Sequence, residues 1–406
     1  MPAVTADAAT HAEEPAEETS ESPLEGPAAI HVDGSQVHTI RDGIEQRGQL
    51  ARLLVHDLAQ ARTAITAGLL PPDVLSGTPG WSSSLHSPLP EATPGVLLAS
   101  LELVRNADRS WTVLADRTSI PYGLGLLSSG AWGEDSPFTE FGRAVRAELD
   151  LRTHNRALLF DPAATSPDEN LSHELIVQDA ESAAREFGLD LLTPADLRVH
   201  QGQLERVDGG AAPELLLRYV PSSALDPLEP LGRPGIGIPG LGAALRQGTV
   251  GLANPSGAAV LANPALATFL PRLARHFLSE DLVLPSVTTY WCGERSMCSH
   301  VIAHASRLVI RSISNHEILD GRSLPLREIA DLCARIADEP WDWVGQEPVE
   351  PDAVQLPDGN ITPVMLRGYA AGGESWHALA GGLAFVGELD DRSRPLAHVI
   401  LAEEAA

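Results

Sequence analysis

The stretch Val113–Gly130, VLADRTSIPYGLGLLSSG, sets an acid at the end of an apolar strand and follows it with a turn that holds two glycines. An aspartate at such a place can cap the turn with its own side chain. Glycines also let a backbone approach a ligand closely, so a carboxylate beside this turn equally suits a metal next to a phosphate. Both readings of Asp116 stand at this point. Immediately upstream, GVLLASLELV and SWTVLADRT flank the polar turn RNADR, which predicts a β-hairpin ending at Asp116.

Outward from the hairpin, the pattern is that of an α/β protein. From Arg41 to Leu70, apolar residues including Ile44, Leu54, Leu58 and Ile65 recur at helical spacing, and Pro71 and Pro72 stop the run. ALLFDP reads as a buried strand, the segment Asp179–Phe187 as a helix capped by Gly188, and LDLL as a second strand. Strand, helix and strand in that order predict a βαβ region with a parallel sheet. A second α+β region from Pro271 carries helices at Cys298–Arg307 and Leu326–Ala337 among strands at RLVIRSI, WDWVGQE, PVMLRGY and GGLAFVGEL.

Composition narrows the chemistry. The chain has 406 residues and a formal net charge of −27, and its 28 basic residues are all arginine. An acidic surface of that size repels nucleic acid and anionic membranes, so neither is an expected partner. Without lysine there is no P-loop. Cys292, Cys298 and Cys333 do not make a disulfide framework, which suits a cytoplasmic protein. The uncharged run Gln247–Pro271 is broken by Asn254, Pro255, Gly257, Asn263 and Pro264, so it reads as buried loops and short helices rather than a membrane span.

Other motifs carry less. GIGIPG, Gly235–Gly240, spells G-x-G-x-x-G but follows a loop instead of a strand. Cys292, Cys298, His300 and His304 lack the second C-x-x-C that a zinc site would bring, and ordinary core or surface roles are favoured. NHEILD lacks the second histidine of a zincin helix, and no G-x-S-x-G elbow occurs.

Taken in order, EQRGQLARLLVHDL, GLLPPDVLSGTPG, WTVLADRTSIPYGLG, LLLRYVPSSALDPLE, GIPGLGAALRQGTVGLANPSGAAVLANPALATFLP, LVLPSVTTYWCGE, LVIRSI, WVGQEPV, VMLRGYA and AGGLAFV resemble the circularly permuted ATP-grasp family, type 2, from about Gly43 to the C-terminus. The resemblance implies a circularly permuted ATP-grasp-like fold of α+β subdomains with a preceding βαβ region. It divides the chain into an acidic disordered tail (1–34), a leading helix, hairpin and permuted metal-ligand segment (35–156), a βαβ pre-ATP-grasp-like unit (157–270) and nucleotide-clamp subdomains (271–406). An active member would use ATP and Mg²⁺ to join a carboxylate to an amine.

Carried over residue by residue, the resemblance makes Asp116 a metal ligand and Arg117, Gly123 and Gly125 a phosphate loop. Pro121 also matches. Arg311, Gln346, Glu347 and Arg367 become nucleotide-binding residues, and Arg218 and Asp226 face the substrate groove or form a structural ion pair. Asp116, Arg311, Gln346 and Arg367 are expected in one cleft. Where the family places Glu-Asn-Arg, this chain has Ser129, Gly130 and Ala131, and Arg311 replaces a lysine. A hydroxyl and a glycine do not replace a carboxylate and an amide as magnesium ligands. The terminal glycine-rich stretch is replaced by ELDDRSRPLAHVILAEE. Two functions follow: a catalytically impaired relative that acts as a binding or scaffolding partner, for instance of an active ATP-grasp protein, or an active ligase with its metal ligands moved to Glu134 or Asp135.

Overall fold

The computed structural model describes residues 28–32, 34–82, 93–128, 137–150, 153, 155–164, 171–355, 361–373, 375–386 and 396–403. Ser129, Gly130, Ala131, Glu134 and Asp135 lie outside them.

The largest sheet has seven strands. Along it run Ala28–Val32, Leu396–Glu403, Trp376–Val386, Ile361–Gly372, Leu98–Arg105 and Trp111–Asp116, and the short Ala353–Gln355 also pairs with Ile361–Gly372. The hairpin read from sequence is therefore present, at one edge. Strand alternation divides its core in two. Val364, Leu366 and Ala370 of the strand Ile361–Gly372 face one apolar cluster, and Met365, Tyr369 and Ala371 face the other. The first cluster is covered by the helix Gly34–Ala59, whose buried stripe includes Ile40, Ile44, Ala51, Leu54 and Leu58. Gly48 lets this helix lie close, because a Cβ there would meet the Trp376 ring at 2.4 Å. The second cluster is shared with the helix His173–Phe187 and the buried strands of the second sheet.

That second sheet runs Asp190–Leu192, Arg156–Phe160, Leu215–Tyr219, Gly251–Ala253, with every neighbouring pair parallel. The helix His173–Phe187 joins its first two strands in sequence and ends at Gly188 in the left-handed conformation, as the βαβ pattern predicts. The third sheet is antiparallel: Thr289–Trp291, Trp343–Gln346, Val309–Ser312, Ile318–Asp320. Its own small core contains Val301, Ile310, Leu332, Ile336 and Trp343.

Three sequence expectations change. The helix expected over 41–70 starts earlier and stops at Ala59, and a short helix Thr63–Thr66 follows. Asp57 causes the break: its carboxylate accepts from Thr63 N (2.8 Å), Ala64 N (2.9 Å) and Thr63 Oγ1 (2.6 Å), capping the new helix while Arg62 turns left-handed at φ 55°. The tail assigned to 1–34 includes the strand Ala28–Val32, which pairs in parallel with Leu396–Glu403. The strands Ile361–Gly372 and Trp376–Val386, grouped by sequence with 271–406, complete the sheet of the 35–156 unit. Long-range pairing of that kind leaves no local trace in sequence.

No helix among the described residues is long and apolar enough to cross a membrane. The stretch from Gly251 to Thr268 is a short strand followed by two buried 3₁₀ turns.

Candidate functional site

The edge strand Trp111–Asp116 is joined to the segment before the third sheet by Val113 N donating to Pro285 O and Val287 N donating to Val113 O, both at 2.9 Å. This brings Ser286 alongside Asp116. Beside them opens a shallow cleft, lined on its polar side by Asp116, Arg117, Ser286, Arg311, Asn263 and Gln346 and on its apolar side by Leu261, Pro264 and Ala267. Three of the four residues expected in one cleft therefore meet there, and Arg117 joins them.

Asp116 is engaged. Arg47, from the helix Gly34–Ala59, donates from Nη1 to Asp116 Oδ2 at 3.2 Å and from Nη2 to Leu284 O and Ser286 Oγ at 2.8 Å each. Burial raises the pKa of Asp116 and the Arg47 charge opposes that rise; burial lowers the pKa of Arg47 and Asp116 opposes that fall. Arg47 is buried while Asp116 keeps one side open to the cleft, so the carboxylate matches a guanidinium that water does not reach.

Arg117 belongs to a second buried network. Its Nε donates to Glu102 Oε1 at 3.1 Å, and Arg367 Nη2 donates to the same oxygen at 2.7 Å. Burial pushes the Glu102 carboxyl up, but Arg117 and Arg367 together outweigh it and hold the pKa at about 2. Arg367, expected in the cleft, is instead fully buried on the sheet, with its guanidinium 4.9 Å from the centre of the Phe385 ring. Residue alternation along Ile361–Gly372 explains this, since Arg367 shares a face with Met365 and Tyr369.

The glycine turn also differs from expectation. Asp179, on the buried stripe of the helix His173–Phe187, accepts from Gly123 N at 2.8 Å, Gly125 N at 2.6 Å and Leu126 N at 3.0 Å. These are the amides that a phosphate loop would have offered to a ligand, and the carboxylate already fills them. Burial moves Asp179 up to about 7 against the pull of its three amide partners and of Arg367. Gly125 is required for packing: a Cβ there would lie 1.9 Å from Asp179 O and 2.5 Å from Ala183 N.

Arg218 and Asp226 do not pair with each other or open on the cleft. The fully buried Arg218 donates to the carbonyls of Asn254, Val220 and Ser119 at 2.7, 2.9 and 2.7 Å, and burial brings its pKa down to about 10. Asp226 accepts from Leu228 N, Gly240 N and Gly242 N at 2.9, 3.1 and 2.9 Å. That carboxylate fills the end of GIGIPG, which agrees with its reading as a loop and not a dinucleotide site. Gln346 donates to Thr289 Oγ1 at 3.1 Å, while the exposed Glu347 is outside the cleft lining and accepts from Tyr290 OH at 2.9 Å. His300 packs between Tyr290 and His304 with its ring tilted against both, the ring centres 4.4 and 4.3 Å away. Among the described residues no three His, Cys, Asp or Glu side chains are grouped to hold a metal.

Arg47, Glu102 and Asp179 were not singled out from sequence, although a signal was present. Each is an ionisable residue at a position where periodicity demands an apolar one: Arg47 on the stripe of Ile40, Ile44, Ala51 and Leu54, Asp179 on that of Ile176, Ala180 and Ala183, and Glu102 inside LASLELV.

A family model described as circularly permuted ATP-grasp type 2 matches residues 30–131 and 175–387. An uncharacterised protein of Mycobacterium tuberculosis (strain ATCC 25618 / H37Rv) is 30% identical over 335 residues, covering 79% of this chain and 38% of the relative. A putative glutamate–cysteine ligase of Frankia casuarinae is 28% identical over 326 residues, covering 76% of this chain and 38% of the relative. The chain thus spans 38% of the length of these two curated relatives. Among solved structures, a glutathione synthetase-like effector from Globodera pallida, in its apo form, superposes with a TM-score of 0.55 at 10% identity, over 92% of this chain and 89% of the effector.

Proposed function

This chain belongs to the circularly permuted ATP-grasp type 2 family, and from that premise we propose that it is a catalytically impaired relative of the ATP-dependent carboxylate–amine ligases, serving as a binding or scaffolding partner of another protein. The observation that carries this reading is the ion pair of the half-buried Asp116 with the buried Arg47 at the cleft. Magnesium requires several hard oxygen ligands. Among the described residues, the lining of this cleft offers one carboxylate, already matched by Arg47, with Arg117 and Arg311 beside it. That donor set does not fit a dication. The sequence supports the same conclusion, because Ser129, Gly130 and Ala131 stand where the resemblance calls for Glu-Asn-Arg.

Losing metal ligands removes transition-state stabilisation, at about 1.4 kcal/mol for each tenfold in rate. The test is release of ADP from ATP by the purified protein with Mg²⁺, glutamate and cysteine. No ADP above the buffer blank is expected; amine-dependent ADP release would reject the proposal. The second reading, an active ligase with relocated metal ligands, is favoured by one observation, the convergence of Asp116, Arg117, Arg311 and Gln346 on a single cleft. The same assay decides between them.

A further inference from the structure

Two of the three cysteines share the small core of the third sheet. Cys292, just past the strand Thr289–Trp291, is buried at 1% exposure, and its amide donates to Trp343 O at 3.0 Å. Cys298, in the helix Arg295–His304, packs against the same core from the side that carries Val301 and Ile302, and keeps part of its surface in solvent. Between the two the chain reverses: Glu294 N donates to Trp291 O at 3.2 Å, and Cys298 N to Glu294 O at 2.9 Å. Gly293 permits so tight a reversal, since a Cβ there would lie 2.1 Å from the Trp291 ring. The helix therefore lies back against the strand, with the Tyr290 and His300 ring centres 4.4 Å apart. Burial pushes the Cys292 thiol up, and the neighbouring Cys298 thiol adds to the rise. Cys333 is engaged elsewhere, its Sγ donating to Ile302 O at 3.7 Å.

We propose that Cys292 and Cys298 form an oxidation site, in which a peroxide reacts at Cys298 and Cys292 then closes a disulfide. The Cys298 thiolate attacks one peroxide oxygen, the O–O bond breaks, and the other oxygen leaves as water or an alcohol. That step oxidises the sulfur to a sulfenic acid and reduces the peroxide. Cys292 Sγ then displaces the hydroxyl from Cys298, so an S–S bond forms, an S–O bond breaks, and the thiol proton departs with the hydroxyl as water. Exposure decides which sulfur reacts first, and the buried thiol beside it captures the product before further oxygen adds. The bond ties the start of the helix to the end of Thr289–Trp291. That strand pairs with Trp343–Gln346, whose last residue lines the cleft. Nothing in this chemistry depends on whether the chain ligates or binds nucleotide.

The experiment treats the reduced full chain with hydrogen peroxide, blocks remaining thiols with N-ethylmaleimide under denaturing conditions, and maps tryptic peptides by mass spectrometry. Cleavage at arginine puts the three cysteines in separate peptides, 276–295, 296–307 and 328–335. Peptides 276–295 and 296–307 should emerge joined, two hydrogens lighter than their sum, and separate on adding dithiothreitol. Before oxidation, iodoacetamide on the native protein should label Cys298 and spare Cys292. In Cys298→Ser the joined species should be lost entirely, and in Cys292→Ala dimedone should trap a sulfenic acid on peptide 296–307. A link from Cys298 to Cys333, sulfinic acid at Cys298 without any link to Cys292, or no change at millimolar peroxide would overturn the proposal. Circular dichroism checks that each variant is folded; should Cys292→Ala not fold, the wild-type peptide map decides alone.

Discussion

Glu102 holds two arginines on one carboxylate oxygen inside the sheet, and its removal would leave both guanidiniums without that counter-ion. Breaking a buried pair from one side costs about 3–5 kcal/mol, so Glu102→Gln should lose stability in that range, measured by urea unfolding. The pH sign follows from its depressed pKa. Glu102 contributes stability above its ordinary 4.5, and that contribution drains away as pH falls toward about 2; the glutamine variant should lack this component. Asp179 carries the opposite sign. Its folded pKa is raised from 3.8 to about 7, so its contribution is fully favourable below 3.8 and diminishes as pH rises through that interval. In Asp179→Asn the corresponding decline between about pH 4 and pH 7 should vanish from a series of urea midpoints.

At the scale of elements, the tightest fit is between the short helix Leu124–Ser128 and the helix His173–Phe187. Gly125→Ala would drive a methyl into backbone at 1.9 Å, and rigid backbone cannot step aside as a side chain can. A loss of about 3 kcal/mol or more is expected, read as a lower thermal midpoint, with the alanine variant's parallel strands and helices retained by circular dichroism. The hairpin Leu98–Asp116, the βαβ unit and the capped helix ending at Gly188 were legible because their signals are local: alternation, a turn, a glycine cap. The cleft was half legible. Asp116, Arg311 and Gln346, three of the four residues expected together, line one cleft, with Arg117 beside them in place of Arg367. Arg367, Arg218 and the glycine-turn amides are instead consumed by partners distant in sequence, such as Glu102, Ser119 and Asp179. A side chain's partner across more than fifty residues is set by sheet order and helix placement, which a linear pattern does not encode.

For the whole molecule, charge and connectivity matter most. A net charge of −27 works against the compact state by self-repulsion, and salt shortens its reach to about 8 Å at physiological ionic strength. The thermal midpoint should therefore rise by about 2 °C or more between low salt and ~0.15 M NaCl, followed by scanning calorimetry; a fall would mean that the internal ion pairs dominate. Connectivity has a mechanical counterpart. Ala28–Val32 and Leu396–Glu403 run side by side in the same direction, five residues in register from Ala28 opposite Val399 to Val32 opposite Glu403. A pull applied through the residues before Ala28 and after Glu403 acts on these strands in opposite senses along a common axis. The rungs between them are then loaded together in shear instead of opening one by one like a zip, so under an optical or cantilever force probe the two ends of the chain should act as a clasp that yields in a single step.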